Sequence, residues 1–518
     1  MAWLEADLGK FPAKTHARKV AKELGVKDGI IYLPGQKEEF YEDSDMGPKF
    51  RQRRHFYYIT GADFPGCAVT YDIGRDHLIL WIPRIEPRTV LWYGRTPSIE
   101  QCKAASEVDD VRYIDSLLGA LCPVLGEGTT LYVLHPDQVP RIEHATMKLR
   151  IDTTSLRPAM DNARVIKTAH EIALIRRANA VSSGAHKTVL TNLRRLTTER
   201  AIDAVFTGYC TAHGAPTQAY PLIAASGPNA STLHYTDNNQ PLHGRQLLVL
   251  DGGAEWHCYA SDVTRTLPLP LSVSGGTFPS REAGAIYRAV ERMQEECIAR
   301  VRPGVAFYAL HLHACAVAAH ELLRLGVLRG GSVAEIMARG TVAAFFPHGL
   351  GHHVGLEVHD VSGSRGRLLL GAAAAAGPRP VVMGPAGGRV RTKAEWVGPR
   401  MVAALYGDAV AAMRDLSYDE NGRVESGGRQ KLEENMVVTI EPGIYFCREY
   451  IEGYFLNDPV HSKYINKEEL DKYWDVGGVR IEDDILVTKD GYENLTWAPK
   501  GDAMLRILKG EPSEADDM

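Results

Sequence analysis

Residues 345–361 read FFPHGLGHHVGLEVHDV, four histidines and two carboxylates in an otherwise apolar stretch. Imidazoles and carboxylates are the side chains that ligate divalent ions and move protons near neutral pH. His348 and His352 stand four residues apart, the spacing of HExxH zinc helices. That motif needs a helix and a glutamate directly after its first histidine. Here Gly349 holds the position and Gly351 weakens a helix further. The zinc-helix reading fails, so partners for these histidines must come from elsewhere in the chain.

Three other segments offer them. In RQLLVLDGGAEWHCYASDVTRTLPL (245–269) a strand-like apolar run ends in Asp251. A hairpin turning near Trp256–His257 would set Asp262 directly across from Asp251. Two like charges at such a pair repel unless a cation lies between them, and the apolar neighbours argue against a solvated surface hairpin. In MVVTIEPGIYF (436–446) a β-branched strand breaks immediately after Glu441, at Pro442 and Gly443. An acid at the end of a buried strand is costly unless neutralised. In GGVRIEDDILVT (477–488) Val479, Ile481 and Ile485 share one face, and Arg480, Glu482 and Asp484 the other. Singly, such acids are usually hydrogen-bonded structural groups. Four at strand positions, with a histidine cluster, point to a metal centre.

The elements that must position these residues fill a long chain. At 518 residues it exceeds one ordinary core, and two domains are expected. IIYLPG, HFYYITG, GCAVTYDIG, HLILWIPRI and TLYVLHP, between 29 and 135, read as the strands of an α/β domain. A boundary follows near 155–168. Thr168 and Glu171 form a capping box, and Ile172, Ile175, Ala178, Ala185 and Val189 then keep helical spacing, which predicts a helix over 168–194. Strands and helices continue to about 508. Within them the Gly-, Ala- and Arg-rich segment 361–400 reads as a solvated surface insertion, an arginine patch recruiting a partner being the other reading. The acidic end KGEPSEADDM reads as disordered.

Read together, DGGAEWHCYASD, HGLGHHVGLEVHD, IEPG and GGVRIEDD, in this order, resemble the metal motifs of the pita-bread metallopeptidases, in the branch of aminopeptidase P and prolidase. The stretch IIYLPGQKEEFYEDSDMGPKFRQRRHFYYITGADFPGC is similar to the N-terminal domain of eukaryotic prolidases. The resemblance implies an α/β N-terminal creatinase/prolidase-like domain over 1–160 and an α+β pita-bread catalytic domain over 165–508, with an insertion at 361–430 and a tail at 509–518. It implies five metal ligands: Asp251 on one ion, Asp262 and Glu482 between two ions, and His352 and Glu441 on the second. Four carboxylates offset the four positive charges of two divalent ions, and oxygen-rich ligation with one imidazole suits Mn²⁺, with Co²⁺ or Zn²⁺ also able to fit.

Two ions so held would acidify a water between them, and Glu441 is the expected general base. The family pattern nominates His234, His348 and His359 for oxyanion stabilisation, the leaving nitrogen or the substrate pocket. Arg480, on the face of Glu482, is expected to hold a ligand acid or a substrate carboxylate. His257 and His353 are read as surface or packing residues, and Tyr235 and Tyr445 as candidates for a proline pocket. The implied activity is an Xaa-Pro aminopeptidase acting on peptides with proline second. Strict prolidase is the alternative, because only Arg423 and Arg429 precede IEPG as candidate carboxylate captors. A non-catalytic binding module of the same fold is the third reading. A homodimer is implied by the family alone.

The net charge of −5 argues against a nucleic-acid binder. No eighteen-residue apolar run predicts a membrane span, and MAWLEADLGKFPAK has no secretory h-region. Eight scattered cysteines without a CxxC pair suit a reducing, cytoplasmic setting.

Overall fold

The computed structural model describes residues 8–126, 128–141, 150–269, 277–363, 366, 368–369, 382–383, 389–390 and 429–511. The chain divides into two compact units, Met1–Ala173 with Val361–Ser364, and Leu174–Asp360 with Arg365–Met518. Helix Leu156–Val165 lies in the first unit, so the division falls later than the 160–165 boundary read from the sequence. Most of the 361–430 insertion and the end of the 509–518 tail lie outside the described residues.

The first unit is built on a six-stranded mixed sheet of β1 (Ile30–Pro34), β2 (Ala68–Asp72), β3 (His77–Ile82), β4 (Asp110–Tyr113), β5 (Thr130–Tyr132) and β6 (Arg150–Asp152), in the order β4-β3-β2-β1-β5-β6. Ile30, Tyr32, Trp81 and Leu131 pack there against Leu117, Leu121 and Leu125 of helix Leu117–Gly126. One expected strand is a helix. HFYYITG forms Arg54–Thr60, closed by Gly61 at φ 69°, where the left-handed backbone favours glycine. Five successive residues, Phe56 to Thr60, are buried, so burial on every side erased the period that separates helix from strand.

The division falls within helix Ala169–Asn192, whose span is close to the predicted one. Its capping box is reciprocal: Thr168 N donates to Glu171 Oε2 at 2.7 Å, and Glu171 N to Thr168 Oγ1 at 3.4 Å. The strands after it are short: β7 (Thr217–Gln218), β8 (Ile223–Ser226), β9 (Leu247–Asp251), β10 (Ala254–Trp256), β11 (Tyr259–Ala260), β12 (Thr264–Pro268), β13 (Val382–Met383), β14 (Arg389–Val390), β15 (Val437–Ile440), β16 (Gly443–Tyr445), β17 (Gly478–Arg480), β18 (Asp483–Val487) and β19 (Tyr492–Asn494).

They come as hairpins that change sheet in mid-course. Strand β9 pairs with β8 and β12, whereas its continuation β10 pairs with β11 and β7. Likewise β15 pairs with β18, and its continuation β16 with β17. Each interruption carries acids: Asp251 and Asp262 flank the first, Glu441 and Glu482 the second. Bridges Thr264–Glu482 and His353–Val438 link the hairpins to each other and to the segment around His352. A polypeptide that breaks its ladder at several adjoining points creates a hollow lined by whatever stands at the breaks. Among the described residues, no helix is long and apolar enough to cross a membrane.

Candidate metal centre

Strand β9 is buried throughout, and Asp251 at its end is 7% exposed. The following turn centres on His257 and Cys258, at φ 46° and 64°, the two positive values a two-residue hairpin turn demands. His257 is therefore an exposed turn residue. Because the turn falls one residue later than the sequence suggested, Asp251 pairs with Thr264 and not with Asp262. The register moves by two, which preserves the face, so Asp262 stands diagonal to Asp251 on the same side. Gly253 permits this approach, since a Cβ there would overlap the carbonyl oxygen of Ser261.

At the second break Ile440 pairs with Asp483 and Gly443 with Arg480, which leaves Glu441 and Glu482 opposite one another. The alternating strand read from GGVRIEDDILVT is thus two strands, and the interruption at Ile481–Glu482 holds the acid. His352 arrives on the segment beside β15: Thr439 N donates to its carbonyl at 2.9 Å and Glu441 N to that of Leu350 at 2.8 Å. Gly351 is required there, because a Cβ would strike the carbonyl and hydroxyl oxygens of Thr439.

The five side chains converge. Donor atoms of Asp251, Asp262 and Glu482 lie within 4.8 Å of one another, as do those of His352, Glu441 and Glu482, and those of Asp262, His352 and His359. His352 Nε2 is 3.4 Å from Asp262 Oδ2 and 3.2 Å from Glu441 Oε1. Two sets sharing Glu482 form a template for a pair of cations. The donor chemistry fits divalent ions: four carboxylates and one imidazole, with Glu482 Oε1 buried and, among the described residues, without a hydrogen-bond partner. Burial pushes the Asp262 carboxyl up to about 6, with Asp251 adding to the rise and His352 opposing it. Burial and the neighbouring Asp262 and Glu441 raise Glu482 well above the usual carboxylate range. Acids held this close carry a repulsion that a bound cation removes.

Arg480 is buried and engaged on each nitrogen. It donates to Asp251 Oδ2 at 2.6 Å, Tyr445 Oη at 3.0 Å and Thr264 Oγ1 at 3.3 Å. Those contacts belong to the first of its two expected roles, holding a ligand acid. His348 is likewise occupied: Nδ1 donates to Gly349 O at 2.8 Å, so Nε2 accepts from the Tyr445 hydroxyl at 2.9 Å. Burial pushes this imidazole down to about 4. His234 and His359 are exposed, and the His359 ring lies 4.3 Å from that of His352, centroid to centroid. His353 is buried against Gln430 Oε1 at 2.8 Å, a packing residue as expected. Tyr235 hydrogen-bonds Glu199 at 2.8 Å.

Sequence reasoning missed two groups. The Tyr220 hydroxyl lies against Asp251 Oδ1, at 2.6 Å, and against Asp262 Oδ1. Thr264 Oγ1 donates to Glu482 Oε2 at 2.6 Å. Nothing in QAYPL marks Tyr220, whereas the place of Thr264 opposite Asp251 was readable once the turn was correct.

Two family models match the chain: metallopeptidase family M24 over residues 173–382 and 402–489, and the aminopeptidase P N-terminal domain over residues 14–132. The chain belongs to metallopeptidase family M24. A relative from Chaetomium globosum, described as a probable Xaa-Pro aminopeptidase, is 60% identical over 98% of this chain and 85% of its own. One from Sordaria macrospora, described as a probable Xaa-Pro aminopeptidase PEPP, is 57% identical over 98% of this chain and 87% of its own. Among solved structures, Pseudomonas aeruginosa aminopeptidase PepP matches with a TM-score of 0.71 at 26% identity, over 97% of this chain and 98% of its own. Zinc-substituted Escherichia coli aminopeptidase P in complex with product matches with a TM-score of 0.71 at 22% identity, over 98% and 100%. Membership of the family gives the two-part architecture, an aminopeptidase P-type N-terminal domain and a pita-bread domain, and makes the chain a peptidase that uses divalent metal.

Proposed function

We propose that this M24 peptidase is an Xaa-Pro aminopeptidase whose two divalent ions are held by Asp251, Asp262, His352, Glu441 and Glu482. The observation that carries the reading is the convergence of those donors in two sets that share Glu482, in a chain closely similar to relatives described as probable Xaa-Pro aminopeptidases. Mn²⁺ is the favoured ion, on the hardness of four carboxylates and one imidazole. When bound, such ions acidify water and polarise a carbonyl oxygen.

The remaining work falls to side chains. Glu441 Oε1 faces His352 Nε2 and accepts from Thr439 Oγ1 at 3.2 Å, so Oε2 takes the proton from the attacking water. His359, exposed with its ring against that of His352, and His234, exposed and near enough to His348 and His359 to act on them electrostatically, are assigned to the tetrahedral oxyanion and the leaving nitrogen. His348 belongs to the same machinery through Tyr445, whose hydroxyl it shares with Arg480. Arg480 keeps Asp251 in place and opposes its charge. The scissile nitrogen is proline's own and leaves as a secondary amine, so its departure needs a proton from the protein.

Cleavage of longer peptides is favoured over strict dipeptidase action. Arg429, a candidate captor of a dipeptide carboxylate, stacks on Tyr308 at 3.8 Å and donates to Leu369 O at 3.2 Å. Arg423 lies outside the described residues. A cytoplasmic site of action fits eight free thiols, and a homodimer fits the family. Turnover of an Xaa-Pro-Xaa tripeptide and of Gly-Pro, measured with and without Mn²⁺, tests the proposal. The tripeptide should be the better substrate and activity should require metal. Exclusive dipeptide cleavage would make the enzyme a prolidase, and no turnover of either would leave the binding-module reading.

A further inference from the structure

Helix Ala169–Asn192 turns an unusual stripe inward. Asn179, Ser182, Ser183 and His186 follow one another at the spacing of a single helix face. They are 0%, 0%, 0% and 3% exposed. Buried polar groups are costly unless bonded; Ser182 and His186 bond the backbone of the metal-centre hairpin, Asn179 a carboxylate of β18 and Ser183 the chain beyond β19.

Ser182 Oγ accepts from Ala254 N at 2.8 Å and lies 2.8 Å from Ser261 Oγ. Asn179 Nδ2 donates to Asp484 Oδ2 at 2.7 Å, and the same oxygen accepts from the Asp262 amide at 3.0 Å. Ser183 Oγ accepts from Trp497 N at 3.1 Å. His186 Nε2 meets two carbonyls, Gly252 O at 3.2 Å and Val263 O at 3.0 Å.

Both partners of that nitrogen are acceptors, so Nε2 carries the proton. Nδ1 is buried with no hydrogen-bond partner among the described residues, which an unprotonated ring nitrogen tolerates better than an N–H would. Burial holds this imidazole down to about 3, and the Phe206 ring meets it edge-on at 5.1 Å. The His186 N–H therefore reinforces, from the helix side, the direct Gly252 N–H to Val263 O hydrogen bond, 3.0 Å, between the residue after Asp251 and the residue after Asp262. It does so where the hairpin leaves the β9–β12 ladder for the β10–β11 ladder, across a Gly252–Gly253 pair with no side chains to fix it.

We propose that His186, with Ser182 and Asn179 on the same stripe, is a positioning residue that sets the spacing of Asp251 and Asp262 and thereby the affinity for the bound ions. The inference rests on the metal-centre reading above and adds a source of affinity that touches neither ion nor substrate. Hydrogen bonds that orient ligands from behind are worth about 10–100-fold in metal affinity.

The test compares full-length wild type with His186→Phe, His186→Gln and Ser182→Ala. Mn²⁺ affinity is measured by competition with a chelator, thermal unfolding is followed in EDTA, and kcat is read at saturating Mn²⁺. His186→Phe should weaken Mn²⁺ by about 10–100-fold while kcat at saturation stays within a few-fold. His186→Gln, which keeps a donor near the same place, should recover most of the affinity. Ser182→Ala should lose several-fold. An unfolding temperature lowered in EDTA with unchanged Mn²⁺ affinity would overturn the proposal, leaving His186 a core residue only. If His186→Phe does not fold, the other two variants decide, and wild-type affinity in both overturns it. A wild type that binds no Mn²⁺ would defeat the metal-centre reading instead.

Discussion

Asp262→Asn separates the cost of the carboxylate cluster from its benefit. Asp262 is 5% exposed, and burial lifts its carboxyl from the ordinary 3.8 to about 6. At 1.36 kcal/mol per tenfold, carrying that charge in the metal-free protein costs ~3 kcal/mol at neutral pH. The sign follows from proton binding. The folded state holds the proton more tightly than the unfolded state, so stability is intact below about pH 4 and is lost as pH rises through 6. Asparagine has the same shape and never ionises. In chelator, urea unfolding should give equal stabilities near pH 4, and the variant should become more stable by ~3 kcal/mol at pH 7.5. With Mn²⁺ the order reverses. Wild type gains ~4.1 kcal/mol at a thousand times the dissociation constant, more than the buried charge costs, and the variant, lacking a shared donor, gains little. Curves that stay parallel between pH 4 and 7.5 in chelator, or an undiminished Mn²⁺ gain in the variant, would refute the reasoning.

Other substitutions probe the remaining parts. Glu441→Gln should lower kcat by about 10²–10⁴-fold in Mn²⁺-saturated assays; a loss under tenfold would remove Glu441 as the base. Tyr445→Phe leaves His348 Nε2 and an Arg480 N–H without their shared partner in a buried site, and should cost ~1–3 kcal/mol in urea unfolding. Gly351→Ala drives a methyl into Thr439 and should destabilise by ~1–3 kcal/mol while weakening Mn²⁺ binding through His352; unchanged metal affinity would show that the 350–354 segment can shift freely.

The acids were legible because the sequence marks them twice, by charge and by the break in an apolar run. Asp251 precedes two glycines and Glu441 a Pro-Gly pair, signals that end a strand whatever the tertiary structure. The hairpin register was less legible. Its turn residues, His257 and Cys258, are not the Asn-Gly type that announces positive φ, and only the sheet partners fix the turn there. Parity rescued the outcome, since a shift of two keeps Asp262 on the face of Asp251. The aromatic run at 55–60 misled because a short element buried on every side shows no period. Tyr220, Asn179, Ser182 and His186 escaped notice for another reason. Their partners are carboxylate oxygens and backbone groups far along the chain, and no local pattern encodes such a pairing.

The most direct test of the central claim is an anomalous diffraction map from crystals of the protein soaked in Mn²⁺. Two peaks are expected, one between Asp251, Asp262 and Glu482 and one between His352, Glu441 and Glu482, with Glu482 and Asp262 touching both. A map without metal peaks among these five side chains, under conditions in which the enzyme cleaves an Xaa-Pro-Xaa peptide, would contradict the account.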